Sequence, residues 1–289
     1  MTITNIKYLF ILLAACLFCC TETDDGCLDS TASNFDVSAD DDCCLVEEEC
    51  CCTYPDLELE LFYKQKASDT LLKSETNFKL ETFYALVNSQ DSIKIDTFEL
   101  FISQVKPINL TLVDTICVLE SIEYTQLNVG GDSELLRVED NIALIDGLQF
   151  RFDLGTYQSD LDVEQVDCTL GLSEEIAQID PDNIVTSLNL GNTYNYLFNE
   201  SRASFPSMRV KFTLKSADQQ RIITQELSFE ERLTFTFASP IVNNKGANLS
   251  LLMRINVLDV FKGIIFDVAI EDIDLIIKAN LASSVSIIE

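Results

Sequence analysis

The sequence contains no histidine and no tryptophan among its 289 residues. Without imidazole, the chain lacks the general base of Ser-His-Asp and Cys-His catalytic arrangements and the commonest metal-binding side chain. Adjacent carboxylates such as Glu174 and Glu175 occur, but a chain with 48 acidic residues contains many such pairs by chance. We therefore expect a protein that is not an enzyme.

Positive charge is also scarce. The chain has 19 Lys and Arg against 48 Asp and Glu, which gives a formal net charge of −29 at pH 7. Such a surface repels phosphate backbones, and no basic stretch offsets the repulsion. We predict no nucleic-acid partner. Apolar residues nevertheless make up 47% of the chain, which is enough to build one large core or two smaller ones.

The first twenty residues, MTITNIKYLFILLAACLFCC, carry one cation at Lys7 followed by an apolar run. The run is too short to span a bilayer and is typical of a secretory signal. It resembles a bacterial lipoprotein signal with two cleavage patterns, LAAC ending at Cys16 and LFCC ending at Cys20. We predict a signal over residues 1–19 and a lipid on Cys20, with Cys16 as the alternative. The acidic residues that follow resemble a surface-export signal, so we expect a lipid anchor in the outer membrane or at the cell surface.

Eight cysteines follow Cys20, and an even number outside the cytoplasm indicates disulfides. They are Cys27, Cys43, Cys44, Cys50, Cys51, Cys52, Cys117 and Cys168. Since only Cys117 and Cys168 lie far from the N-terminal cluster, we predict that they pair. An alternative is a thiolate site for Cu(I) or Zn formed by the cysteines of 43–44 and 50–52, although their spacing is not CxxC.

Residues 20–56 form an acidic, cysteine-rich segment. The sequence GCLDSTASNFD at 26–36 and ADDDC at 39–43 resembles the GCxDxxAxNY repeat of Bacteroidetes surface proteins, with a shortened second half. Its hard oxygen donors make calcium binding chemically reasonable. The candidate ligands are Asp29, Asn34, Asp36, Asp40 and Asp42. The alternative is a solvated linker with no ion.

From residue 57 onward, apolar and polar residues alternate with period two. Examples are LELEL at 57–61, MRVKFTL at 208–214 and LTFTF at 233–237. This pattern predicts half-buried antiparallel strands and an all-β sandwich. Helix is predicted only over 172–176 and 256–261.

Several segments stand out in order along this part of the chain. They are FELFISQV at 98–105, LIDGLQFRFDLG at 144–155, DPDNIVTSLNLG at 180–191, VLDVFKG at 257–263 and IKANLA at 277–282. Together they resemble the copper-binding MbnP-like domain of methanobactin-associated and Bacteroidetes proteins. The resemblance covers residues 57–289 and implies the same sandwich.

The metal site that the resemblance implies is not supported by this chain's residues. In the family, imidazoles and an oxidised Trp bind copper, but the corresponding positions here are Thr186 and Leu188. Neither donates nitrogen to a metal, so we expect the copper site to be lost.

The resulting expectation is a non-enzymatic lipoprotein with no resident cofactor, which acts by contact with a protein or glycan. The alternatives are copper or calcium binding by the N-terminal Cys and Asp segment, and an adhesive or scaffolding role.

Overall fold

The computed structural model describes residues 23–44, 50–65, 76–86, 90–112, 114–115, 121–127, 132–147, 151–185, 190 and 194–288. The chain divides into two compact units, Met1–Tyr54 and Pro55–Glu289. The boundary lies two residues before the one predicted from the change in sequence pattern.

The N-terminal unit has little regular structure in its described part. Strands β1 (Asp25–Gly26) and β2 (Asp41–Asp42) pair in parallel over two residues. Three disulfides cross-link its described cysteines. They are Cys27–Cys52, Cys43–Cys51 and Cys44–Cys50.

The second unit consists mainly of strands. These are β3 (Asp56–Gln65), β4 (Thr76–Asn77), β5 (Phe83–Ala85), β6 (Ser92–Asn109), β7 (Asp114–Thr115), β8 (Ser121–Leu127), β9 (Ser133–Glu139), β10 (Ile142–Ile145), β11 (Arg151–Thr156), β12 (Val163–Gly171), β13 (Met208–Ser216), β14 (Gln219–Leu227), β15 (Glu230–Ile241), β16 (Leu249–Asn256) and β17 (Val285–Ile288). The α-helices described are α1 (Glu174–Ala177), α2 (Val257–Val260) and α3 (Ile270–Leu281).

The strands form two main sheets. The larger has the order β14-β13-β6-β12-β15, with β5, β7 and β10 also paired to the long strand β6. The smaller has the order β11-β3-β16-β17, with β4 beside β3, and β8 and β9 form a separate hairpin. The structure is 51% strand and 14% helix, so the predicted all-β class is confirmed. One pair differs from the antiparallel prediction, because β16 runs parallel to β3.

The main core lies between the two sheets and follows the predicted alternation. In β3 the buried residues are Leu57, Leu59 and Leu61, and in β13 they are Val210, Phe212 and Leu214. A second core on the other face of β6 contains Phe101, Ile122, Ile176 and Phe205. Strand β6 is therefore buried on both faces near its middle, where Leu100, Phe101 and Ile102 follow one another in the sequence.

The helices agree in part with the sequence. The predicted turn at 172–176 is α1, and Ser173 caps it by accepting a hydrogen bond from Ile176 N–H at 3.4 Å. The predicted turn at 256–261 is α2. Helix α3, of 12 residues, was not predicted. Among the described residues, no helix has both the length and the apolar character needed to cross a membrane.

The prediction of a disulfide between Cys117 and Cys168 requires correction. Cys168 lies on β12 within the main core and carries a free thiol. Burial, with a further contribution from the charge of Asp167, raises the pKa of this thiol to about 12. Cys168 therefore packs as a small apolar side chain. Cys117 lies outside the described residues.

Candidate functional site

The predicted site residues fall into two groups, one in each unit. The lipidation candidates Cys16 and Cys20 lie outside the described residues, as do the copper-site positions Thr186 and Leu188. The predictions for these four positions stand as they were made. The other candidates, the cysteines and oxygen donors of the N-terminal unit, lie within the described residues.

In the N-terminal unit, the disulfides bring several potential ligand atoms together. A carboxylate oxygen of Asp42 and the sulfurs of Cys43, Cys44 and Cys52 all lie within 4.8 Å of one another. Each of these sulfurs belongs to a disulfide, whereas metals bind the thiolate form. The oxidised unit therefore offers no thiolate at this cluster, and only its reduction would create one.

The oxygen donors predicted for calcium have local partners that define the turns of the unit. Asp29 Oδ1 accepts hydrogen bonds from the Thr31 N–H and hydroxyl at 2.9 and 2.7 Å, and Asp29 Oδ2 accepts from the Tyr54 hydroxyl at 2.9 Å. These bonds, led by the Thr31 N–H, lower the pKa of Asp29. Asp29 is therefore ionised at neutral pH, and its oxygens stabilise the turn itself.

Asn34 and Asp36 have similar roles. Asn34 Nδ2 donates to Cys51 O and its Oδ1 accepts from the Thr53 N–H, both at 2.8 Å. Asp36 Oδ1 accepts from the Ser38 hydroxyl at 2.6 Å and from its N–H at 2.8 Å, and these bonds lower the pKa of Asp36. Both side chains thus fix backbone turns.

The remaining calcium candidates are Asp40 and Asp42. The backbone N–H of Asp40 donates to Asp24 O at 2.9 Å, and Asp42 Oδ1 accepts from the Cys44 N–H at 3.1 Å. Of the four aspartates proposed, only Asp42 belongs to a close group of three or more Cys, Asp or Glu ligands in the described part of the chain. The structure does not gather the five predicted oxygen donors into one cluster.

In the sandwich, the start of the 180–191 segment is well defined. Asp180 Oδ1 accepts from the Asp182 N–H at 3.0 Å and caps the 3-10 helix Pro181–Asn183. The Val185 N–H then donates to Glu123 O on β8 at 2.8 Å, and Leu190 is buried in the second core. The described parts of the segment are thus held between the hairpin and the larger sheet.

Close to this segment lies a charged group that the sequence did not indicate. Arg209 on β13 donates from Nε and Nη2 to the two carboxylate oxygens of Glu99 on β6. The Tyr196 hydroxyl donates to Glu99 Oε1 at 3.0 Å, and the guanidinium lies 5.2 Å from the Tyr196 ring centroid. Burial, followed by the charge of Glu99, raises the pKa of Tyr196 to about 12.

This arrangement decides what the group can do. Both carboxylate oxygens of Glu99 already accept hydrogen bonds, and Glu99 is only 7% exposed. Tyr196 is neutral at physiological pH, so it supplies no phenolate. The group is therefore a structural ion pair on the face of the larger sheet, and it provides no open coordination position.

Comparison with known proteins adds no further assignment. No protein-family model matches the chain, no curated protein is similar to it, and no solved structure matches its fold.

Proposed function

We propose that this chain is a lipid-anchored, extracytoplasmic protein that is not an enzyme and acts by contact with a partner outside the cytoplasm. The observation that carries the proposal is the set of three disulfides within residues 27–52. Disulfides persist in oxidising compartments outside the cytoplasm. The apolar N-terminal segment and its LFCC pattern, which precede these cysteines in the sequence, support the same location.

The anchor is tested by mass spectrometry of the full chain extracted from the membranes of a bacterium that processes lipoproteins. We expect a mature chain that begins at Cys20 and carries acyl chains. Cys20→Ser abolishes membrane retention, whereas the matched control Cys16→Ser leaves it intact. Cleavage at any other position, or release of the wild-type chain into the soluble fraction, contradicts the proposal.

The proposed loss of the copper site has its own test. The resemblance to MbnP-like proteins implies a sandwich, but a chain without His and Trp lacks the nitrogen donors that Cu(II) prefers. We expect the oxidised full chain to retain less than one equivalent of Cu(II) in equilibrium dialysis against a weak competing chelator. Stoichiometric retention with nitrogen hyperfine coupling in the EPR spectrum would overturn this part of the proposal.

A second candidate function is metal capture by the N-terminal unit. It is favoured by the close approach of Asp42 to three cysteine sulfurs. Zn(II) titration of the full chain before and after reduction tests it. Binding that appears only after reduction, and is lost in Cys43→Ser, supports capture by thiolates. Binding that is absent in both states excludes it. A calcium-dependent rise in the melting temperature would instead support an oxygen-ligand site and the adhesive or scaffolding role.

A further inference from the structure

A cavity of about 580 Å³ opens beside the smaller sheet, a size that is common for small-molecule sites. Its lining combines apolar side chains with a few charged ones. The lining residues are Glu60, Leu61, Phe62, Tyr63, Phe78, Lys79, Gly147 and Arg151. All belong to the sandwich unit, and none belongs to the candidate sites described above.

The apolar part of the lining is held in place by the core. Leu61 and Tyr63 on β3 are buried, with 1% and 5% of their surface exposed. Phe62, which points to the opposite face of the strand, remains 39% exposed. Phe78 stacks on Tyr84 with ring centroids 5.4 Å apart, which fixes its orientation. Phe62 thus presents an exposed aromatic surface, held by a strand whose other face is anchored in the core, and such a surface is suited to contact with an apolar ligand.

The polar part of the lining is anchored by the backbone. The Gly147 N–H donates to the Tyr63 hydroxyl at 3.2 Å, and Gly147 has a φ of 77°, which only glycine adopts readily. The Lys79 N–H donates to the Tyr84 hydroxyl at 2.8 Å, and this hydroxyl donates to Lys79 O at 3.0 Å. The start of the Lys79 side chain is therefore fixed at the cavity.

The two cations that line the cavity, Arg151 and Lys79, differ in their pairing with carboxylates. Arg151 forms ion pairs with Glu58 and Glu60, so its charge is compensated. Lys79 forms no ion pair with any carboxylate in the described part of the chain. In a protein of net charge −29, this cation beside an apolar surface offers a specific counter-charge for an acidic group.

We propose that this cavity binds a small amphipathic anion, with its carboxylate or sulfonate on Lys79 and its apolar body against Phe62 and Phe78. The Lys79 ammonium gives the ligand an orientation, and the exposed aromatic surface provides most of the contact area. Lys64 Nζ, 6.0 Å from the Phe62 ring centroid, places a second cation near the same surface. The inference goes beyond the surface role proposed above. Lipid anchoring and ligand binding are independent, so either can fail while the other holds.

The test uses two probes of nearly the same shape and the oxidised full chain without its signal segment. The anionic probe is 8-anilinonaphthalene-1-sulfonate, and the neutral one is N-phenyl-1-naphthylamine. We expect each probe to bind saturably, with one probe molecule per chain, as measured by probe fluorescence. Phe62→Ala weakens both at least tenfold, because it removes the shared apolar contact. Lys79→Gln weakens only the anionic probe, by about tenfold, because it removes the counter-charge.

Two variants provide matched controls. Phe83→Ala removes a phenylalanine of the larger sheet that is 42% exposed, close to the 39% of Phe62, and Lys211→Gln removes an exposed lysine of β13. We expect neither variant to change the affinity for the anionic or the neutral probe. The thermal transition of every variant is measured, and Lys79→Gln serves alone if Phe62→Ala fails to fold. Non-saturable binding, or an equal loss in the Lys79 and Lys211 variants, overturns the proposal.

Discussion

Asp140 is a buried carboxylate whose position is determined by a bulge in β6. Its Oδ1 accepts from the N–H groups of Gln104 and Asn141, both at 2.7 Å, while its Oδ2 is buried without a hydrogen-bond partner. Asn141 accepts from the Val105 N–H at 2.7 Å and donates to Val105 O at 2.9 Å. The side chains of Asp140 and Asn141 thus replace backbone hydrogen bonds between strands at the bulge in β6, where Gln104 adopts a φ of 51°.

Burial raises the pKa of Asp140 to about 6, against the opposing effect of the two N–H donors; the charge of Lys106 also lowers it and that of Glu230 raises it. Because the folded state holds this proton more tightly than the unfolded chain, the resulting stabilisation is complete below pH 4 and is lost as the pH rises through about 6. The loss is on the order of 3 kcal/mol.

The effect of Asp140→Asn on the free energy of unfolding is therefore expected to depend on pH. Relative to wild type, the variant becomes progressively more stable between pH 4 and pH 7, because the wild-type carboxylate must ionise in a buried position. Urea unfolding at several pH values measures the difference, with Asp218→Asn in an exposed turn as the control. A free-energy difference that is independent of pH would contradict the assignment.

Gly171 and Gly263 allow steric contact to be separated from backbone strain. Their φ angles are similar, 99° and 93°. A Cβ on Gly171 would overlap the backbone oxygen of Phe229, whereas one on Gly263 would meet, among the described residues, only Ile276 at 4.0 Å. Both alanine variants incur about 1–2 kcal/mol of left-handed strain. We expect Gly171→Ala to lower the free energy of unfolding by more than about 3 kcal/mol in total, because the backbone must also shift. Equal midpoints in urea would refute the steric contribution.

At the scale of elements, β14 is an outer strand of the larger sheet and is tied to the segment that leads into α3. Arg221 Nη1 donates to Phe266 O at 3.1 Å and to Val268 O at 2.6 Å. Gln225 donates to Ile270 O at 3.3 Å. These bonds pair carbonyl oxygens of the loop before α3 and of its first residue with side chains of β14, and so hold the start of the helix against the sheet.

Arg221→Met keeps the apolar stem and removes the two hydrogen bonds. We expect a loss of about 1–3 kcal/mol, since two carbonyls lose a charged donor. Hydrogen exchange should accelerate in α3 more than in β3. The control is Arg232→Met, at a side chain that is 78% exposed. Unchanged exchange in α3 would show that the bonds do not hold this helix.

Local sequence patterns predicted most strands but not the long-range pairing. The alternation at 57–61 and 208–214 matches the buried faces of β3 and β13, because each strand packs one face on the core. Helix α3 was missed although Ile273, Ile277 and Leu281, its buried residues, have helical spacing. The short apolar run that contains them is ambiguous between helix and strand.

The candidate sites were less predictable than the strands for a physical reason. The parallel pairing of β3 with β16 and the ion pair of Glu99 with Arg209 join residues far apart in the sequence. Both depend on which strands pair and in what register, and for strands distant in the chain no connecting turn fixes that register. The alternation in β6 indicates that Glu99 lies on one face, but it does not indicate which cation lies opposite.

At the scale of the whole molecule, the two units are stabilised in different ways. The sandwich has a core shared by two sheets, and its described cysteine, Cys168, is a free thiol. In the described part of the N-terminal unit, the only buried apolar residues are Cys27 and Ala32. A segment this short cannot build a sufficient core, so its disulfides must supply the stability.

Reduction is therefore expected to unfold one unit and spare the other. The disulfides close loops with sequence separations of 25, 8 and 6 residues, and the longest contributes roughly 3 kcal/mol in the chain-entropy model. Treatment with a phosphine reductant should open residues 23–54 to proteolysis, while the calorimetric transition of the sandwich shifts by only a few degrees. Cys27→Ser with Cys52→Ser should reproduce part of the effect without reductant. If reduction abolished the sandwich transition, the separate stabilisation of the two units would be disproved.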